Sequence, residues 1–259
     1  MRYLLNKPIT EILGKYAQYF IFLDFDGTLS PIARTPDSAA LPGSTKKIIA
    51  ELSRSRKCKL AVISGRKLSD IKAVVGINKI IYAGNHGMEI EGNGVKRIIK
   101  VPKWFAEVKR KIRMDIRSKM HGIKGILIED KGHTLALHYR LTKRTERYKI
   151  KKYFYQATAS HLLNGRIKIQ KGKMLYEVRP NIKWDKGKAV KWLLNRSSKK
   201  NTLPIYIGDD ETDKDAFKAL KNRGITIFVG SRTKYGAKYY LRDTNDVRKF
   251  LLMIKKEVG

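Results

Sequence analysis

Two aspartates two positions apart, Asp24 and Asp26, stand directly behind the apolar run Tyr19-Phe20-Ile21-Phe22-Leu23 and directly ahead of Gly27-Thr28. A single aspartate before a glycine is ordinary turn chemistry. Two of them at the end of a buried strand repel each other unless a proton or a cation sits between them. Hard oxygen ligands in such a place suit Mg2+, and the carboxyl end of a strand in an open α/β sheet is where ligands bind. Late in the chain, Gly208-Asp209-Asp210-Glu211-Thr212-Asp213 puts four acids within five residues behind a second apolar run. An acidic, capped helix start accounts for Asp213 better than for Asp209 and Asp210. Ser64-Gly65-Arg66 ends a third apolar run, which alone is common turn chemistry. Lys186, in Trp184-Asp185-Lys186-Gly187-Lys188, taken alone is a solvated lysine ahead of a helix.

The elements that must position these groups follow from periodicity. Apolar runs at 20–23, 59–63 and 79–83 predict strands, and they alternate with helical patterns at 42–53 and 67–75. The same grammar returns as helix 188–195, strand 203–207, helix 213–221, strand 225–229 and helix 246–256. Strands alternating with helices predict an α/β fold with a Rossmann-like, doubly wound parallel sheet.

Residues 103–179 break this pattern and read as an inserted α/β domain of two helix-hairpin units, leaving 1–102 and 180–259 as the core. Helices at 102–119 and 145–163 each precede two strands, 126–129 with 134–139 and 167–170 with 175–178. Lys131-Gly132 and Lys171-Gly172 are the expected turns, so Glu129 should face Thr134 and Leu127 should face Ala136. Alternation then gives each hairpin one apolar and one polar face. Glu129, Arg140 and Glu177 fall on polar faces, with Lys131 at a tip. Solvated hairpin charges are the plain reading of these four.

Composition narrows the classes. The 259 residues, 42% of them hydrophobic, allow one large core or two modest domains. No run approaches the ~20 apolar residues of a membrane span, so no membrane partner is expected. Residues 1–14 are interrupted by Arg2, Asn6, Lys7 and Glu11 and do not read as a signal peptide. Cys58 is the sole cysteine, which rules out an internal disulfide and points to a reducing, cytoplasmic location. The net charge of +34 suits an anionic partner, whether nucleic acid, membrane surface or phosphorylated substrate, and equally a plain basic surface. No zinc-finger spacing or aromatic RNA-binding signature is present, so nucleic-acid binding is expected only as a non-specific effect.

Taken in order, Asp24-Phe25-Asp26-Gly27-Thr28-Leu29, Ser64, Lys186 and Gly208-Asp209-Asp210 resemble the four motifs of the haloacid dehalogenase-like (HAD) phosphatases. Further pieces resemble the trehalose-6-phosphate phosphatases within that superfamily. They are Ser64-Gly65-Arg66, Gly84-Asn85-His86-Gly87-Met88-Glu89, His138-Tyr139-Arg140, Glu177-Val178-Arg179-Pro180, Asp185-Lys186-Gly187-Lys188-Ala189 and Gly208 through Asp213. The likeness runs from about Phe20 to Leu252; Lys214 departs from it, standing where the family usually has an acid.

The resemblance implies that Asp24 is a nucleophile that becomes an aspartyl-phosphate and that Asp26 is the general acid and then base. It implies Mg2+ on the Asp24 carboxylate, the Asp26 backbone carbonyl and Asp209, with Asp210 and Asp213 orienting ligands or waters. Ser64 and Lys186 would bind phosphoryl oxygens. The insertion would be the family's cap domain, with Glu129, Lys131, Arg140 and Glu177 as sugar-binding residues and Arg66, His86 and Glu89 as further substrate contacts. The glycosyltransferase domain fused in some relatives has no counterpart here, so a separate trehalose-6-phosphate synthase is the expected functional partner. Two alternatives stay open: a phosphatase for another sugar phosphate such as sucrose 6-phosphate, and a basic nucleic-acid-binding or end-processing phosphatase. The sequence is silent on oligomeric state.

Overall fold

The computed structural model describes residues 1–14, 16–197, 199–231 and 235–258. The chain divides into two compact units, one of Met1–Ile98 with Trp184–Gly259 and one of Ile99–Lys183. These boundaries lie a few residues outside 103–179.

Among the described residues the first unit has nine strands: β1 (Arg2–Tyr3), β2 (Gln18–Leu23), β3 (Cys58–Ile63), β4 (Ile81–Gly84), β5 (Glu89–Gly92), β6 (Val95–Ile98), and, after the second unit, β11 (Thr202–Gly208), β12 (Ile225–Val229) and β13 (Tyr239–Leu241). The second unit supplies β7 (Leu127–Asp130), β8 (Leu135–His138), β9 (Ile167–Gly172) and β10 (Leu175–Pro180). Helices α1 (Ile9–Leu13), α2 (Gly43–Leu52), α3 (Leu68–Val75), α6 (Lys186–Ser197), α7 (Lys214–Leu220) and α8 (Thr244–Val258) belong to the first unit, and α4 (Trp104–Met120) and α5 (Arg147–Leu163) to the second.

The large sheet runs β1-β13-β12-β11-β2-β3-β4-β5-β6. It is parallel from β1 through β4, and β5 and β6 close it as an antiparallel edge. Strand β2 is buried along its whole length, which is why it reads as a continuous apolar run rather than an alternation. Tyr19, Ile21 and Leu23 enter one hydrophobic layer with α2, α3 and α8. Phe20 and Phe22 enter the opposite layer with α6 and α7. Helix α8 shows the spacing that makes this possible: Val247, Phe250, Leu251, Ile254 and Val258 form its buried stripe. From β2 the chain proceeds to β3 and β4 on one side, whereas β11, β12 and β13 lie on the other. The order thus reverses at β2 and β11, the switch point where an open α/β sheet leaves a crevice at its strand ends.

The second unit is an antiparallel sheet, β7-β8-β10-β9. Its apolar face carries Leu135, Leu137, Tyr176, Val178 and Ile167 against Phe105, Ile112 and Ile116 of α4 and Ile150 and Phe154 of α5. Both turns differ from the sequence expectation. Glu129 pairs with Ala136 and Leu127 with His138, because the first loop runs from Lys131 to Thr134. Gly172 pairs with Leu175, so the second turn is Lys173-Met174, with Met174 at φ +67°. Each register shift is an even number of residues, so the side chains within the paired strands keep their expected faces. No helix among the described residues is long and apolar enough to cross a membrane.

Candidate active site

Asp24 leaves the end of β2, and its backbone N–H donates to the Ile207 carbonyl on β11 at 2.9 Å. That bond sets the tips of the two central strands side by side. Asp209 follows β11, and Asp213 ends a single helical turn that Asp210 caps by accepting from Glu211 N at 2.7 Å. One carboxylate oxygen each from Asp24, Asp209 and Asp213 lies within 4.8 Å of the others, and all three residues are buried. Lys186, the first residue of α6, donates from Nζ to Asp24 Oδ1 at 2.8 Å and to Asp213 Oδ1 at 2.7 Å. Tyr206 Oη donates to Asp213 Oδ1 at 2.7 Å, and Asp210 N donates to Asp213 Oδ2 at 2.9 Å.

Burial pushes the Asp24 carboxyl well above the usual carboxylate range; Lys186 pulls it back, and Asp213 and Asp209 push it further up. Burial alone would lower the Lys186 ammonium, but Asp213 and Asp24 outweigh it and hold the lysine charged. The Tyr206 phenol is raised by burial and then by the nearby carboxylates, so it remains a donor. Three buried carboxylates against one ammonium leave an all-oxygen, anionic donor set. That set fits a hard divalent cation.

Asp26 takes a different direction. Its carboxylate receives Arg66 Nε at 2.8 Å on Oδ2 and Arg66 Nη2 at 2.6 Å on Oδ1, a two-pronged grip. Arg66 is itself fixed by donating from Nη1 to the Pro36 carbonyl at 2.8 Å and by lying over the Phe25 ring, 5.3 Å from its centroid. The Asp26 side chain nonetheless stays 38% exposed. Ser64, buried at the end of β3, accepts from Arg66 N on Oγ at 3.1 Å. His86 N donates to the Ser64 carbonyl at 2.8 Å, and Asn85 Nδ2 donates to Glu89.

A family profile described as trehalose-phosphatase matches residues 22–245. Trehalose-phosphate phosphatase B of Arabidopsis thaliana is 34% identical over 92% of this chain and 66% of its own length. The chain belongs to the trehalose-phosphatase family. Trehalose 6-phosphate phosphatase RA3 of Zea mays is 32% identical over 95% of this chain and 72% of its own. The chain thus spans about two thirds of the length of the curated relatives it matches. The C-terminal domain of the C. albicans trehalose-6-phosphate phosphatase superposes with a TM-score of 0.81 at 23% identity, covering 93% of both chains, a likeness of fold.

In this member of the trehalose-phosphatase family the second unit gathers part of the expected set. Glu177 is buried and accepts on Oε1 from Lys131 Nζ at 3.2 Å and Thr134 Oγ1 at 2.9 Å. Lys131 is buried too, so neither is a solvated hairpin charge. Glu129 Oε2 pairs with His138 Nε2 at 2.9 Å. Burial raises the Glu129 carboxyl, yet the His138 bond and Lys131 outweigh it and hold it low. Arg140 donates from Nη2 to the Lys173 carbonyl at 2.7 Å, bracing the second turn.

Asp213, expected to orient ligands or waters, lies within the Asp24–Asp209 cluster. Two supporting groups were not assigned a role from the sequence: Tyr206 supports Asp213, and His138 supports Glu129. A tyrosine inside an otherwise apolar strand was the available signal for Tyr206, since a buried phenol must find a partner.

Proposed function

We propose that this protein hydrolyses trehalose 6-phosphate to trehalose and inorganic phosphate, with Mg2+ held at the paired tips of β2 and β11. The observation that carries this reading is the seating of Asp24 between the Lys186 ammonium and the carboxylates of Asp209 and Asp213, with Asp26 two residues on. The family match supports the substrate class.

Asp24 attacks phosphorus in line and takes the phosphoryl group as an aspartyl-phosphate while the sugar oxygen departs. Asp26 gives that oxygen a proton and then takes one from the water that hydrolyses the acyl phosphate, restoring Asp24. Its partial exposure suits a group that must meet both leaving group and water. Lys186 and Ser64 bind the equatorial phosphoryl oxygens, where charge accumulates. The Asp24 carboxylate, the Asp26 backbone carbonyl and Asp209 would hold the metal, with Asp213 alongside and Asp210 fixing the turn. Mg2+ when bound neutralises charge on the phosphoryl oxygens.

Recognition of the disaccharide falls to the second unit as a cap domain, through Glu129, Lys131, Arg140 and Glu177. Arg66, His86 and Glu89 are assigned the substrate's nearer atoms. A separate trehalose-6-phosphate synthase is the proposed supplier of substrate, and the cytoplasm the proposed location.

The test is phosphate release from trehalose 6-phosphate, glucose 6-phosphate and sucrose 6-phosphate side by side, with and without EDTA. Preferred turnover of trehalose 6-phosphate, abolished by EDTA and restored by Mg2+, is expected. A preference for another sugar phosphate overturns the substrate, and turnover that survives exhaustive EDTA treatment overturns the metal.

A further inference from the structure

Asn85, His86 and Gly87 are three consecutive residues with positive φ, at 48°, 57° and 86°. Non-glycine residues in this region are strained and persist only where their surroundings hold them. Two sets of contacts do so here. On one side the turn is stitched to the Ser64–Arg66 turn. Asn85 N donates to the Arg66 carbonyl at 2.7 Å and His86 N to the Ser64 carbonyl at 2.8 Å. The His86 ring covers Gly65 so closely that a Cβ there would meet Cε1 at 2.8 Å.

On the other side stands Trp184. Its indole Nε1 donates to the Gly87 carbonyl at 2.7 Å. Gly87 is also pressed on α6, where an added Cβ would lie 2.4 Å from Ala189 Cβ. The Arg97 guanidinium lies 5.1 Å from the Trp184 ring centroid and 5.1 Å from that of Trp192, so one cation clamps both indoles. Stacking alone would be met by any aromatic residue; the indole adds a donor aimed at the one carbonyl that ends the strained run.

Arg97 lies one residue before the chain leaves the first unit at Ile98, and Trp184 is the first residue after its return. Both connections between the units are therefore tied to this clamp. From Trp184 an unbroken series of contacts runs through Gly87, through Asn85 and His86, and through Ser64 and Arg66 to the Asp26 carboxylate.

We propose that Trp184 is a positioning residue: clamped by Arg97 and Trp192, its indole N–H sets the Asn85–Gly87 turn and, through it, the Ser64–Arg66 turn and Asp26. This rests on the proposed reading in which Ser64 binds phosphoryl oxygens.

Trp184→Phe keeps a ring for Arg97 and removes the donor. In the metal-loaded protein, amide hydrogen exchange at residues 85–88 should quicken about tenfold, with α8 unchanged. The kcat/KM for phosphate monoesters should fall about five- to tenfold, the effect of losing roughly one ordinary hydrogen bond. KM should carry the fall, and inhibition by orthophosphate should weaken by the same factor. Arg97→Lys, which keeps the charge and loses the planar guanidinium, should move each quantity in the same direction by less; it carries the test should Trp184→Phe fail to fold. Trp104→Phe, on the exposed side of α4, is the control and should change none of them. Wild-type exchange at 85–88 with wild-type orthophosphate inhibition in Trp184→Phe overturns the proposal. So does a fall in melting temperature and kcat with KM unmoved, which would make Trp184 structural only. A wild-type protein that neither releases nor binds phosphate would instead overturn the phosphatase reading, and the exchange result would still decide the role of Trp184 in the turn.

Discussion

Gly27 and Asp209 are packed so closely that a methyl group on Gly27 would lie 1.9 Å from Asp209 Oδ2, and Gly27 itself sits at φ +88°. The backbone behind the two aspartates that follow β2 is thus the floor on which the third strand-tip carboxylate rests. A side chain at position 27 must evict either itself or Asp209. Gly27→Ala should therefore raise the Mg2+ concentration for half-maximal phosphate release by at least about tenfold, besides the ~1–3 kcal/mol that a left-handed alanine costs the fold. A metal titration of turnover, with a thermal melt beside it, measures both. An unmoved titration midpoint would contradict this packing.

The carboxylate cluster predicts a pH signature. Burial, aided by Asp213 and Asp209 and opposed by Lys186, raises the Asp24 carboxyl above its ordinary value of 3.8. A carboxyl raised in the folded state holds its proton more tightly there than in the unfolded chain. Its stabilisation is complete below 3.8 and is lost as pH rises through the raised value. A divalent cation replaces that proton, so the gain in melting temperature on adding Mg2+ should grow as the pH rises above 3.8. Thermal melts with and without Mg2+ across that range test it; an equal gain throughout would show that Asp24 is already ionised without metal.

Lys186 and Tyr206 should separate chemistry from support. Lys186→Met leaves Asp24 and Asp213 buried without their ammonium and should cost about 3–5 kcal/mol together with turnover. Tyr206→Phe removes one donor from Asp213 and should cost about 1–3 kcal/mol while most turnover survives. For a chain of this size each kcal/mol moves the melting temperature by about 2–4 °C. Equal losses of activity in the two variants would mean that Asp213, rather than Lys186, dominates the site.

How far these features could be read from the sequence depended on range. The central strands were legible because burial on both faces leaves an uninterrupted apolar run, as in Phe20 to Leu23. The β5–β6 edge was not read, since Glu89, Glu91, Lys96 and Arg97 dilute its hydrophobic signal. Asn93-Gly94 between the strands, both at positive φ, is the tight hairpin turn that could have revealed it. The second turn of the smaller unit was misplaced because Met174 takes a left-handed conformation that its residue type does not advertise. At the site, acids adjacent to strand ends were legible. Pairs such as Arg66 with Asp26 or Trp184 with Gly87 were not, because only the folded chain brings together residues 40 and 97 positions apart.

Sugar recognition should be separable from phosphate chemistry. Glu129→Ala and Glu177→Ala should lower kcat/KM on trehalose 6-phosphate by roughly ten- to a hundredfold, the worth of a hydrogen bond to a charged group. An aryl phosphate, which offers no sugar hydroxyls, should be nearly unaffected by Glu129→Ala. Glu177→Ala should also lower the melting temperature, because Lys131 and Thr134 lose the carboxylate they share. Parallel losses on both substrates would assign these residues to the fold of the second unit instead.

Asp24 is the group proposed to form the bond to phosphorus. Phosphate release from saturating trehalose 6-phosphate and Mg2+ should be compared between wild type and Asp24→Asn, the latter shown to be folded by its melting curve. Removing the nucleophile closes the covalent route, so turnover should fall by many powers of ten to the assay's background. Release by folded Asp24→Asn within about tenfold of the wild-type rate would contradict the account.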